Sequence, residues 1–301
     1  MGLMSRSFPL RVALAALSLS GVVLSFAQEH TEESFIPNFA VASAYYSWSA
    51  DTDFSDVPGS LGMQEAGVGA DLPLYLGERV KVTAGFSYRW NELDFSGSPH
   101  PLASQTLNLH GLDLPINVWA DLNERWKLWL RFQPGWYSDF ENVGSEDFTV
   151  MSLGVLSYQW TNWLKVAFGA FYSRETGEER ILPALGFILE PDPHWYLALT
   201  FPRVEMTYAP TADWLLSARV VANGGTWNIS NPAGSGPDVD LSYQAVRLGL
   251  GVDRRLVRNW WAYLEGGMQI AQEIEIQGGG YDFLSDLDSN AYLSTGVRLR
   301  F

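Results

Sequence analysis

From Arg79 to Trp90 the chain reads RVKVTAGFSYRW and alternates without interruption. Val80, Val82, Ala84, Phe86, Tyr88 and Trp90 fall on one side, and Arg79, Lys81, Thr83, Gly85, Ser87 and Arg89 on the other. A period of two specifies a strand with one apolar and one polar face. A helix would place Arg79 and Lys81 on no common face. RWKLWLRF sets Trp126, Leu128, Leu130 and Phe132 against Arg125, Lys127 and Arg131 in the same way. YQAVRLGLGVDR sets Val246, Leu248, Leu250 and Val252 against Arg247, Gly249, Gly251 and Asp253.

A recurring unit punctuates these runs: a short turn of Asn, Asp, Pro or Arg, then Trp. It places Trp126, Trp163, Trp195, Trp214 and Trp260 just after five such turns, and YLGERVKV repeats the turn with Val. The opposite strand ends meet in longer Gly-, Pro-, Asp- and Ser-rich segments such as ADTDFSDVPGS and EIQGGGYDFLSDLDS, which have loop chemistry. Counting runs between breaks predicts about fourteen strands, or twelve if the pair around Pro202 is discounted. Alternation slips between Leu109 and Leu112, which predicts a bulge near Gly111.

The N-terminus predicts a destination. Arg6 and Arg11 accompany an apolar run from Val12 to Val23, and Ser25 and Ala27 supply small residues for cleavage after Ala27. That is the pattern of a secretory leader, and the run is short of the ~20 residues a spanning helix needs. The expected organisation is a leader over 1–27 and a single barrel over 28–301, with no separate plug. The chain has no Cys, which excludes a lipoprotein anchor and disulfide stapling. A net charge of −15 makes nucleic acid an unlikely partner.

A soluble sandwich could also present two-faced strands, with exposed Trp residues for binding carbohydrate. Three features favour a closed antiparallel barrel in lipid. Gly67, Gly69, Gly85, Gly249, Gly251, Gly267 and Gly296 all fall on the polar face, where they relieve crowding inside a closed sheet. The runs meet the 9–11 residues a tilted strand needs to cross a bilayer. The five Trp residues gather at one end of the strands, as an interfacial girdle requires. In hydrocarbon a sheet must close on itself to satisfy its backbone.

The final strand alternates through Leu293, Thr295, Val297 and Leu299 to Phe301. It resembles the C-terminal assembly signal of Gram-negative outer-membrane proteins of the porin-like kind. That resemblance implies a bacterial outer-membrane location, with outer-membrane lipid, lipopolysaccharide and the barrel-assembly machinery as partners. The segment LPALGFILEPDPHWYLALTFPRVEMTYAP is similar to a family of uncharacterised outer-membrane barrels of about this size.

Alternation assigns Arg79, Lys81, Arg89, Lys127, Arg131, Arg219, Arg247, Glu265 and Arg298 to the lumen, with Arg125, Glu65, Glu205 and Asp253 also facing in. A second aromatic set near the long loops comprises Tyr88, Trp90, Trp136, Tyr137, Tyr172 and Trp227. The expected function is passive passage of small polar or anionic solutes without cofactor, metal or catalysis, with a monomer one option for an oligomeric state the sequence leaves open. His110 is the only histidine in a strand, and no nucleophile motif surrounds it. No loop carries the spaced acidic pattern of a strong calcium site. The rival within the fold is a non-conducting structural or lipid-handling barrel.

Overall fold

The computed structural model describes residues 34–37, 39–97, 102, 104–173, 180–201, 203–234 and 236–301. The expected leader and its cleavage site lie outside the described residues, as does Pro202. Sixteen strand segments follow one another: β1 (Ala40–Asp53), β2 (Gly59–Leu76), β3 (Val80–Gly97), β4 (Thr106–Asp113), β5 (Ile116–Asp121), β6 (Trp126–Ser138), β7 (Phe148–Thr161), β8 (Leu164–Ser173), β9 (Arg180–Leu189), β10 (Trp195–Thr200), β11 (Val204–Thr211), β12 (Trp214–Ile229), β13 (Val239–Val257), β14 (Trp260–Gly278), β15 (Tyr281–Leu287) and β16 (Asn290–Arg300). β4 and β5 both lie between β3 and β6, and β15 and β16 both pair with β14. Each couple is one broken strand, so the wall has fourteen. β1 zips to β16 from Ala40↔Arg300 to Ser49↔Tyr292 and closes the cylinder. Phe39 and Phe301 exchange backbone hydrogen bonds of 3.2 and 3.0 Å just beyond that seam.

The two strands flanking Pro202 are separate, and β10 and β11 form a hairpin. The break in the fourth strand falls at Leu114–Pro115, a few residues beyond the expected bulge near Gly111. There Leu114 N–H donates to Pro134 and Gly85 N–H donates to Pro115. The Pro115 ring removes a donor, so the ladder interrupts at that point.

The wall changes polarity part-way up. In its lower part the outer face carries Val68, Phe86, Leu250 and Leu264, while Glu65, Arg89, Arg247 and Glu265 are buried inside. Above this the order inverts. Leu93, Phe95, Leu241, Ile274 and Ile276 point inward into a dry core with Leu61, Trp227 and Phe54. The outer face there is a polar ladder: Gln64 donates to Glu92 (3.3 Å), Thr106 to Asp94 (2.8 Å) and Asn228 to Asp240 (2.9 Å). In β14 a bulge makes the switch, two residues opposing one on β13 between Val246↔Ile270 and Gln244↔Glu273. Ala271 in the bulge adopts φ 49°, the left-handed region. The extra residue shifts the parity, sending Ile274 and Ile276 in and Glu273 and Glu275 out.

The expectation of a loop over EIQGGGYDFLSDLDS is therefore corrected: most of it is the β14–β15 hairpin of this outer tier. Tyr137 and Trp227, assigned to an outer aromatic set, are buried in its core instead. The tier also closes on itself without β7–β11. Asn228 of β12 bridges Ser138 of β6, and Ser230 N–H donates to Asp139 at 2.7 Å.

Candidate functional site

Below the apolar core lies a chamber of about 250 Å³. A single water needs only ~10–15 Å³ on this scale, so the chamber has room for many waters or a small solute. Its two sides differ because the inward residues of the strands differ. β6–β10 turn Trp129, Leu153, Val155, Phe171 and Leu182 inward, and these pack into one apolar cluster. β2, β3, β12, β13, β14 and β16 turn charged groups inward, with Arg203 at the start of β11. Where Leu153, Val155, Phe171 and Leu182 face the chamber, β7–β9 are apolar on both faces, since Phe168, Leu185 and Phe187 cover the outside; Arg131 on β6 and Lys165 on β8 are buried charges of this sector.

On the charged side, ion pairs tie distant strands together. Arg247 donates to Glu65 across the lumen at 3.3 Å and to Gln269 at 2.8 Å. Tyr45 O–H donates to the other oxygen of Glu65. Arg219 bridges Glu205 (3.3 Å) and Glu265 (2.8 Å), and Tyr292 O–H also donates to Glu265 at 2.9 Å. Arg203 pairs with Glu205 at 2.6 Å, and Arg298 with Asp253 at 3.1 Å. Gly249 lies under Tyr292, whose hydroxyl would stand 2.2 Å from an added Cβ. The inward glycines therefore make room for this layer.

The chamber itself is lined by Arg89, Arg203, Arg219, Arg247 and Arg298 but only by Glu65 and Glu265 among carboxylates. Arginines thus outnumber carboxylates on its lining, while Glu205 and Asp253, which pair with Arg203, Arg219 and Arg298, are buried. Arg89 is buried, its guanidinium lying 5.9 Å from the Tyr137 ring and 3.5 Å from the Gly224 carbonyl.

Most of the lumen expectations fall near this layer, but not all. Arg131 is buried beside Gln133 (2.8 Å) and Asn117. Lys81 and Lys127 lie at the lower rim, Lys127 pairing with Asp121 at 3.3 Å. Arg79 and Arg125 belong to exposed turns below the wall, so they do not line the lumen. Alternation cannot register that the strand has ended. Trp126, Trp163, Trp195, Trp214 and Trp260 all lie at the lower rim, Trp126 packing on Tyr158 and Trp214 on Arg254. Tyr45, Gln269 and Tyr292 were missed; their inward parity was readable but carried no charge. His110 faces Tyr88 (2.7 Å) and stacks on Phe140.

The lower mouth is crossed by the segment before β1, which no charge pattern or motif marks in the sequence. Phe35 N–H donates to Pro193 at 3.1 Å, and its ring stacks on His194 at 4.6 Å. Ile36 packs against both the apolar wall and the Leu215–Trp261 cluster. The β9–β10 turn holding Pro193 lies opposite β1 in the wall, so the segment reaches over the opening.

Residues 24–300 match the family described as a domain of unknown function, DUF6268. The chain belongs to that family. None of the curated proteins matches it. Among solved structures, the barrel is similar to the COG4313 outer membrane channel from Pseudomonas putida F1, with TM-score 0.50 and 12% identity over 90% of this chain and 99% of that one. A deletion mutant of the TodX monoaromatic hydrocarbon channel follows at TM-score 0.48 and 11% identity, covering 93% of each chain. The KdgM porin gives TM-score 0.37 and 10% identity over 87% of this chain and 99% of that one. This DUF6268 protein thus shares the closed-barrel fold of outer-membrane channels.

Proposed function

We propose that this barrel sits in the bacterial outer membrane, exported by its leader, and passes small anionic solutes that carry an apolar part. The observation that carries the reading is the two-sided chamber. Five arginines face an apolar wall of Leu153, Val155, Phe171 and Leu182 across one cavity. Such a site suits a molecule with an anionic head and a short hydrocarbon body, since guanidinium recognises oxyanions bidentately and the wall shelters carbon. This narrows the wider expectation of polar or anionic solutes. The conduit is passive: the reading assigns no bond-making step to any residue. Outer-membrane lipid surrounds the apolar band, and the assembly machinery reads the strand ending in Phe301.

The test is uptake into vesicles reconstituted with the purified chain. Octanesulfonate, permanently anionic and amphiphilic, should enter in a protein-dependent way, whereas glucose should not. A second reading, a non-conducting lipid-handling barrel, is favoured by the dry core that fills the outer tier. Absence of protein-dependent uptake of both probes would select it.

A further inference from the structure

Among the described residues the wall is incomplete between β9 and β12. A bilayer-crossing strand needs about 9–11 residues, but β10 has 6 and β11 has 8. The β10–β11 hairpin therefore stops short of the height its neighbours reach. β9 pairs with β10 only from Leu189 to Gly186, with one further bond from Phe201 N–H to the Leu185 carbonyl. β12 pairs with β11 only as far as Val220. Above these points, Arg180–Ala184 of β9 and Val221–Trp227 of β12 have no ladder partner on their facing edges among the described residues. The next link across, Asn228 to Ser138, closes the outer tier overhead. The result is a notch with the hairpin as sill and the outer tier as lintel.

Two further observations give the notch a use. The chamber's lining includes both faces of each edge: Leu182, Ala184 and Val221, which point inward, and Pro183, Leu185 and Ala222, which point outward. A cavity that touches both faces of two facing edges passes through the wall. Pro183 also sits where an orphan N–H would otherwise face the gap. Leu185 turns its carbonyl toward β10 to receive Phe201. Pro183, two residues on, has the same parity, so the donor it lacks is one on the open side. Unpaired backbone is tolerated at membrane depth only where it lines a cavity.

We propose that this notch is a lateral portal between the bilayer and the chamber, and that its occupant is the hydrocarbon tail of a single-chain anionic amphiphile. The tail lies between Leu182, Val221 and Phe201, and the head group reaches Arg203 and Arg219 inside. The outer end of the barrel is filled by the Leu241–Ile274 core, and Phe35–Ile36 cross the lower mouth, so the side opening offers a route into the chamber that neither end does among the described residues. The proposal rests on the chamber being a solute path, and its test separates the two.

The chain contains no Cys, so engineered thiols are unique. In Ala184→Cys/Val221→Cys, cleavable thiol cross-linkers of graded length would strap the notch. Octanesulfonate uptake should be abolished by the strap and restored by reduction. Undiminished uptake through the strapped protein overturns the portal while leaving the solute path intact; absence of uptake in the unaltered protein overturns the path itself. A second measurement does not depend on transport. A fluorophore on Val221→Cys, an inward position, should be quenched by lipids carrying a nitroxide in mid-acyl chain. Quenching by aqueous iodide alone overturns the proposal. So does quenching that appears only after removal of residues 174–179, which would make that segment the occupant, and so does cross-linking between Val221→Cys of two copies.

Discussion

Arg247 on β13 reaches Glu65 on β2 at 3.3 Å, although three strands of the wall separate them. The pair spans the lumen and is buried on both sides. Removing the cation alone strands a carboxylate in a low-dielectric layer, which typically costs about 3–5 kcal/mol. Arg247→Met should therefore lower the urea midpoint of the refolded barrel, read by gel mobility of folded and unfolded forms. Arg247→Met/Glu65→Gln should recover most of the loss, because the neutral pair leaves no buried charge.

The outer tier should behave as a dry core. Leu241 and Ile274 are wholly buried, and truncating such a residue costs about 2–5 kcal/mol. Ile274→Ala should destabilise accordingly in the same unfolding measurement. The double change Phe95→Ala/Trp227→Ala should also raise single-channel conductance in planar bilayers, since it empties the packing that fills the outer end. Unchanged conductance would mean that this tier does not limit flow.

Leu250 is 72% exposed on the lower outer face, whereas Glu275 lies on the upper outer face. Leu250→Arg should cost about 2–4 kcal/mol in a bilayer, as lipid-facing cations do at mid-depth. Glu275→Arg should be close to neutral. Folding titrations in vesicles compare the two, and equal effects would remove the bilayer from the lower face.

The segment across the lower mouth makes a separate prediction. Ile36→Asp should release its contacts with the apolar wall and with Trp261 while leaving the sheet intact. Conductance should rise and the first described residues should become protease-sensitive, with heat-modifiability unchanged.

Much of this architecture was legible because strand parity is local. Val80 to Trp90 declares its two faces without reference to any partner, and the turn-plus-Trp unit marks one end of each strand. Those two signals suffice for the strand count, the closure at Phe301, the burial of Arg89, Arg131 and Arg247 and the inward side of Arg219. The outer tier was misread because its polarity is reversed. Glu275 looks like a loop acid until the bulge at Ala271 places it and Glu273 outside, and nothing in MQIAQEIEIQ marks Ala271 as left-handed. The chamber's apolar wall is hidden for another reason: around Leu153, Val155, Phe171 and Leu182, β7–β9 are greasy on both faces, so alternation there does not say which side is wet. Pro202 hinted at the short hairpin, but the gap above it depends on β9 and β12, which are remote from it in sequence.

The reversal at Gln269–Gln272 also sets the draught of the vessel. Were the molecule to settle deeper, Glu273 and Asp94 would enter hydrocarbon; were it to ride higher, Leu264 and Phe86 would meet water. Each displacement is penalised from the opposite side, so the host bilayer's thickness is gauged by the protein itself. Membranes a few ångströms off that gauge should hold this barrel less firmly than one that matches.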